Sequence, residues 1–274
     1  MRAFPGRVAI IGFGSMGGML ARGFLDSGAL APGNLAIAAR SPLKAAPFLE
    51  KWSAVALAAC PAGAVRGADI AFLCVKPSDA RAVLAEIGPA LGEKAHLASI
   101  VGSLSVSDLE SATRAAVSIA KPSVCAEVGA GATILCHGAR VGREAADSLE
   151  ALLSSVGSVK AVPERELYAW SELASCGPGL LAVILGEFMD AVIRKTGLPR
   201  AEAESLWKET AFGTAKLLRD GGIGFNEVLS RVATPGGITE AGASALREGL
   251  PALFDGMLDR MGKRRAERDA RMRA

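Results

Sequence analysis

Up to residue 162 the chain alternates between short, nearly unbroken apolar runs and stretches in which apolar residues return every three or four positions. The runs cover residues 8–11, 34–42, 55–58, 69–77, 96–101, 115–120, 132–136 and 158–162. Apolar on consecutive positions, they predict strands covered on both faces, and the intervening stretches predict the covering helices. Strand and helix in turn make a doubly wound α/β sheet. From residue 164 the strand pattern stops, and residues 164–196, 200–220 and 225–232 read as helices separated by Pro199 and by Gly221 and Gly222. Two domains are expected: an α/β domain over residues 1–162 and an all-α domain over residues 163–274.

The first of those late helices carries Leu180, Leu181, Val183, Ile184, Leu185, Phe188, Met189, Val192 and Ile193 around most of its circumference. Such a helix needs burial on more than one side. A few long helices cannot provide that within one chain, so an intertwined helical homodimer is expected. Its longest apolar run, residues 180–185, is closed by Glu187 and falls far short of the roughly 20 residues of a membrane span. Phe4, Pro5 and Gly6 lead directly into the first strand, which predicts no signal peptide. The five cysteines include no C-x-x-C pair and read as reduced thiols. Together these features predict a cytoplasmic protein without a membrane segment.

Chemistry enters at the first strand. It runs into Gly12, Phe13, Gly14, Ser15, Met16 and Gly17, a G-x-G-x-x-G motif that opens a helical pattern. In this order the first glycine permits the turn, the second admits a pyrophosphate and the third lets helix and strand approach, so a dinucleotide site is expected. No Asp or Glu occurs between Asp26 and Glu50, while Arg40 and Ser41 end the second strand and Lys44 follows. An acid there would bind a ribose 2′-hydroxyl and an arginine a 2′-phosphate, so NADPH is expected, with NADH as the alternative. Val75, Lys76 and Pro77 end the fourth strand on the edge where open sheets bind ligands, and join the expected cofactor residues.

A second informative stretch is Thr234, Pro235, Gly236, Gly237, Ile238 and Thr239. Its tight turn precedes a helical pattern beginning at Thr239, and a helix start with two nearby hydroxyls can hold a carboxylate or can simply be a capped loop. His96 and His137, the only histidines, lie in no catalytic or metal motif and read as structural. No metal site is expected. Net charge is +3, but the last fifteen residues hold Arg260, Lys263, Arg264, Arg265, Arg268, Arg271 and Arg273 against Glu267 and Asp269. No aromatic residue or nucleic-acid motif accompanies them, so a solvated terminal helix is expected and a nucleic-acid partner is not.

Taken together, the glycine motif, Val75-Lys76-Pro77, residues 128–133, Gly177-Pro178 and above all Thr234-Pro235-Gly236-Gly237-Ile238-Thr239 resemble pyrroline-5-carboxylate reductases, whose S-P-G-G-x-T signature appears with threonine in place of serine. The resemblance implies a Rossmann-type domain followed by an all-α dimerisation domain, in dimers that assemble further. It also implies NAD(P)H-dependent reduction of a cyclic imine, 1-pyrroline-5-carboxylate, to L-proline. Thr234, Pro235, Gly236, Gly237 and Ile238 would then bind substrate, with Thr239 facing the imine nitrogen as the catalytic residue. Three segments depart from the family's pattern. Lys121-Pro122-Ser123-Val124-Cys125 replaces M-P-N-T-P, Ala174-Ser175-Cys176-Gly177-Pro178-Gly179-Leu180 replaces S-G-S-G-P-A-Y, and Ser99-Ile100-Val101-Gly102-Ser103-Leu104 replaces S-I-A-A-G-V. These changes keep two alternatives open: a paralogous imine reductase with another substrate, and a catalytically silent NADP-binding regulator. A β-hydroxyacid dehydrogenase is disfavoured, because its catalytic lysine has no counterpart between Lys160 and Lys195.

Overall fold

The computed structural model describes residues 3–273, with side chains through Ala270. Eight strands form one sheet: β1 (Val8–Ile11), β2 (Leu35–Ala38), β3 (Ala56–Ala58), β4 (Ile70–Leu73), β5 (His96–Ser99), β6 (Ala116–Lys121), β7 (Gly131–His137) and β8 (Gly157–Ala161). The helices among them are α1 (Ser15–Asp26), α2 (Pro42–Lys51), α3 (Pro61–Val65), α4 (Pro77–Ile87), α5 (Val106–Ala112) and α6 (Arg143–Ser154). Every strand expected from the apolar runs is present. The central ones are buried on both faces, and successive side chains feed two separate cores. Val8, Ile10, Ile70 and Phe72 point to one core with Leu20 and Phe24, and Ala9, Ile11, Ala71 and Leu73 to the other with Ile87 and Leu97. Truncating a fully buried ring such as Phe72 to alanine would cost about 3–5 kcal/mol.

The strand order is β3-β2-β1-β4-β5-β6-β7-β8. The chain winds outward through β2 and β3, then returns to place β4 on the other side of β1. That reversal makes the C-terminal ends of β1 and β4 a topological switch point, where doubly wound sheets bind ligands. β6 and β7 pair antiparallel, a feature the apolar pattern does not reveal. Their connection contains only a short 3₁₀ turn, Val124–Val128, and a parallel pairing needs a crossover of a dozen or more residues. With α6 as its crossover, β8 then pairs parallel to β7.

After β8 the chain is helical: α7 (Leu167–Ser171), a π-helical segment (Glu172–Cys176), α8 (Gly177–Thr196), α9 (Arg200–Arg219), α10 (Phe225–Val232) and α11 (Ile238–Arg273). The compact units divide between Leu180 and Leu181, inside α8, and not at residues 162 and 163 where the composition changes. Residues 164–180 are helical yet belong to the same compact unit as the sheet. Leu167 is buried in the second core, the Lys160 ammonium on β8 sits 4.3 Å from the Trp170 ring centre, and Glu164 Oε1 accepts from the Val106 N–H at 2.9 Å.

The second unit differs in kind. From Leu181 to Ala270 no described side chain is buried within the single chain. Leu181, Val183, Phe188, Leu206, Phe212 and Phe225 are each about half exposed or more. Its internal contacts include the Phe188 ring 4.9 Å from that of Trp207, whose indole N–H donates to the Leu185 carbonyl at 2.8 Å. Residues Glu164–Thr196 run as 33 helical residues whose most apolar window has a mean hydropathy of 1.7, long and apolar enough to cross a membrane by length and composition. The expectation drawn from the uninterrupted run 180–185 is corrected in that respect, because the helix stays apolar on average on both sides of Glu187 and Asp190. α11 carries the basic tail as helix, with the side chains of Arg271 and Arg273 outside the described residues.

Candidate active site

At the switch point lies a cavity of about 620 Å³. Gly12, Phe13 and Gly14 form its floor, Arg40, Ser41 and Lys44 one wall, and Cys74, Val75, Lys76 and Asp79 the other. Two of the glycines are dictated by the backbone. Gly12 has φ +97, and a Cβ there would lie 2.6 Å from the Cys74 carbonyl oxygen. A Cβ on Gly17 would strike the Gly12 carbonyl oxygen, so α1 can start this close to β1 only with hydrogen at that position. Gly14 is the opposite case: nothing lies within 4 Å of where its Cβ would be, and the open space faces the helix start.

That helix start is electrostatically positive. Gly14 is the N-cap of α1 and supplies no capping side chain, and the first turn contains no acid. Its N–H groups therefore favour an anion, and the three cations Arg40, Lys44 and Lys76 line the same cavity. The residues present fit a phosphate-bearing dinucleotide. Burial pushes the Cys74 thiol up, so it stays an uncharged part of the wall.

The expected cofactor residues divide in the structure. Gly12, Phe13, Gly14, Arg40, Ser41, Val75 and Lys76 line the cavity. Ser15, Met16, Gly17 and Pro77 do not; Met16 packs on the first core, and Pro77 opens α4 after the N-cap Lys76. One lining group escaped the sequence. Asp79, from the first turn of α4, accepts from Arg40 Nη1 at 3.1 Å and from the Ser78 hydroxyl at 3.1 Å. The acid missing after β2 is thus supplied from 39 positions further on.

In the second unit, Thr234 to Thr239 form a turn whose helix begins at Ile238, one residue before the expected start, so Thr239 lies inside the first turn of α11 and is not its N-cap. Gly236 has φ +72, and a Cβ on Gly237 would meet the Thr234 hydroxyl. The Gly237 N–H donates to the Thr234 carbonyl at 2.8 Å, and the Gly236 N–H donates to Glu240 Oε2 at 2.6 Å. A carboxylate oxygen therefore fits the turn, although the one seated there belongs to the chain and was not foreseen. Thr234, Thr239 and Ile238 are exposed. Among the described residues no group of three or more His, Cys, Asp and Glu side chains could hold a metal ion.

Comparison with known proteins bears on both units. Residues 164–268 match the family described as pyrroline-5-carboxylate reductase dimerisation, and residues 7–102 match NADP oxidoreductase, coenzyme F420-dependent. The chain is 30% identical over 267 residues to pyrroline-5-carboxylate reductase of Mycobacterium tuberculosis, covering 88% of each chain. It resembles the structure of a pyrroline-5-carboxylate reductase from Coxiella burnetii with a TM-score of 0.89 at 26% identity, over 96% of this chain and 98% of that one. An NADP-bound pyrroline carboxylate reductase of Plasmodium falciparum shares the fold with a TM-score of 0.82 at 22% identity, over the full length of both chains. At that identity and coverage, the chain belongs to the pyrroline-5-carboxylate reductase family.

Proposed function

We propose that this protein is a cytoplasmic homodimer, or an assembly of such dimers, that uses NADPH to reduce 1-pyrroline-5-carboxylate to L-proline. The observation that carries the reading is the cavity at the β1/β4 switch point, where a glycine turn, an open helix start and three cations converge. NADPH supplies a hydride to the imine carbon, so the protein need only position the imine and manage one proton and one carboxylate. Arg40, Lys44 and Lys76 neutralise the cofactor phosphates, and the start of α1 receives the pyrophosphate. At the other site, the turn at Pro235, Gly236, Gly237 and Ile238 with Thr234 holds the substrate carboxylate. The Glu240 carboxylate, which accepts from the Gly236 N–H, would be displaced by that of the substrate. The Thr239 hydroxyl orients the imine nitrogen, which ends protonated from an already protonated iminium or through water.

The test is NADPH oxidation measured against a panel of cyclic imines, with Thr239→Val and Thr234→Val alongside. Thr239→Val is expected to lower kcat and kcat/KM together by about 10- to 1,000-fold with NADPH binding unchanged, because its bond strengthens as charge redistributes. Thr234→Val should act mainly on KM, since a carboxylate contact is equal in ground and transition states. Turnover only on another imine makes the chain a paralogous reductase. No turnover on any, with NADPH still bound, makes it a regulator.

A further inference from the structure

The cavity mouth holds an ion pair that joins two elements. Arg40 ends β2 and Asp79 stands in the first turn of α4, and Nη1 of the one meets Oδ2 of the other at 3.1 Å. The Asp79 carboxylate is held on its other oxygen by the Ser78 hydroxyl, and the helix N-terminus favours its charge. Its orientation is therefore set by two hydrogen-bond partners, whereas the guanidinium is 80% exposed. Both side chains line the cavity, at the strand end where a doubly wound fold places the 2′ substituent of the adenosine ribose.

The two forms of the cofactor meet this pair differently. A 2′-phosphate brings up to two negative charges and competes with Asp79 for the guanidinium, while the fixed carboxylate repels it. A 2′-hydroxyl is a donor, and the carboxylate is the acceptor it needs. We infer that Asp79 is the specificity-determining residue of the cofactor site: it holds Arg40 back from the 2′-phosphate and offers an acceptor to the 2′-hydroxyl. The chain then takes both NADPH and NADH, with a preference for NADPH well below what Arg40, Lys44 and Lys76 alone would impose. This rests on the cofactor reading above, but not on the identity of the imine.

The experiment is a direct titration of the purified full chain with NADPH and with NADH, without substrate, on wild type, Asp79→Asn, Asp79→Glu and Arg40→Ala. For Asp79→Asn, the NADPH Kd should fall about 3- to 10-fold and the NADH Kd should rise about twofold, as expected for one partly screened charge pair. Asp79→Glu keeps the charge and should stay within about twofold of wild type for both cofactors. Arg40→Ala should weaken NADPH selectively. An unchanged NADPH/NADH ratio in Asp79→Asn overturns the inference while leaving the reductase reading intact. So does a ratio that moves toward NADH, which would mean that Asp79 orients Arg40 for the phosphate. Wild type that binds neither cofactor overturns both readings, and failure to reduce any imine touches only the reductase reading. Asp79 is partly exposed, and thermal melting of the variants confirms that each is folded.

Discussion

His96 offers the sharpest test of how the sheet is held together, because its protonation should be visible in the stability of the protein. It begins β5, 2% exposed, in a chain of hydrogen bonds crossing three strands and α6. Nδ1 lies 3.3 Å from the Ala145 carbonyl, which can only accept, so Nδ1 carries the proton. Nε2 then accepts from the Ser118 hydroxyl at 2.7 Å, and that oxygen accepts from His137 Nδ1 at 2.8 Å. Glu150 lies beyond, with Oε1 3.2 Å from His137 Nε2. Protonating His96 would turn its Nε2 into a donor and set two N–H groups against one hydroxyl. Loss of hydration lowers the His96 pKa from 6.5 to about 4, with His137 adding to the effect and the Ala145 carbonyl opposing it. Between those values the unfolded chain binds more protons than the folded one, so stability rises with pH across this window and is lost as pH falls through it. At about 1.4 kcal/mol per pH unit, the loss from pH 7 to below pH 4 is about 3 kcal/mol. Urea unfolding at one fixed protein concentration, at several pH values from 4.5 to 7, should show this slope in wild type. His96→Gln should remove it. Equal slopes in the two proteins would refute the argument, as would an NMR titration placing His96 at its ordinary 6.5.

Two other perturbations follow from packing. Gly17→Ala would drive a methyl into the Gly12 carbonyl oxygen, with Ile10 Cγ2 at 3.1 Å and Cys74 Cβ at 3.2 Å closing the other directions, so melting and NADPH titration should show a loss of about 1–3 kcal/mol in stability and at least tenfold weaker binding. Ile184→Glu would place a charge on the apolar surface of α8 and should abolish assembly and the stability of the second unit; light scattering that finds wild type a stable monomer at micromolar concentration would overturn the dimer itself.

What the sequence disclosed and what it withheld have separate physical causes. The central strands were legible because burial on both faces leaves runs such as Val8 to Ile11 and Ile70 to Leu73 with no polar position at all. Gly12 and Gly17 were legible because backbone geometry alone demands them, and Gly14 because it completes their spacing. Asp79 was not, because an ion pair between a strand end and a helix start 39 positions away has no local signature. The same holds for the link from His96 to His137 through Ser118, which depends on the antiparallel register that sets Ser118 opposite His137. The domain limit read from composition marks the end of the sheet. The compact unit continues because Leu167 and Trp170 remain packed on it.

The three segments that depart from the family's motifs look scattered along the chain, yet they meet in space. The Ser175 hydroxyl lies 3.3 Å from the Lys121 carbonyl and 3.4 Å from that of Pro122, joining the second departure to the first. The Lys121 ammonium donates to the Val101 carbonyl at 3.3 Å, and the Tyr168 hydroxyl to the Gly102 carbonyl at 3.2 Å, bringing in the third. Register explains the meeting: Leu73, Ser99 and Ile119 are level on β4, β5 and β6, so Val75, Val101 and Lys121 leave the same edge of the sheet on neighbouring strands. Val75 walls the cofactor cavity, and the altered patch begins one strand beyond it. Lys121 and Ser175 each donate to backbone carbonyls within the patch, whereas the buried Ser103 hydroxyl of the third segment has no hydrogen-bond partner. The three departing segments thus adjoin one another at one edge of the sheet, beside the strand whose Val75 lines the cofactor cavity.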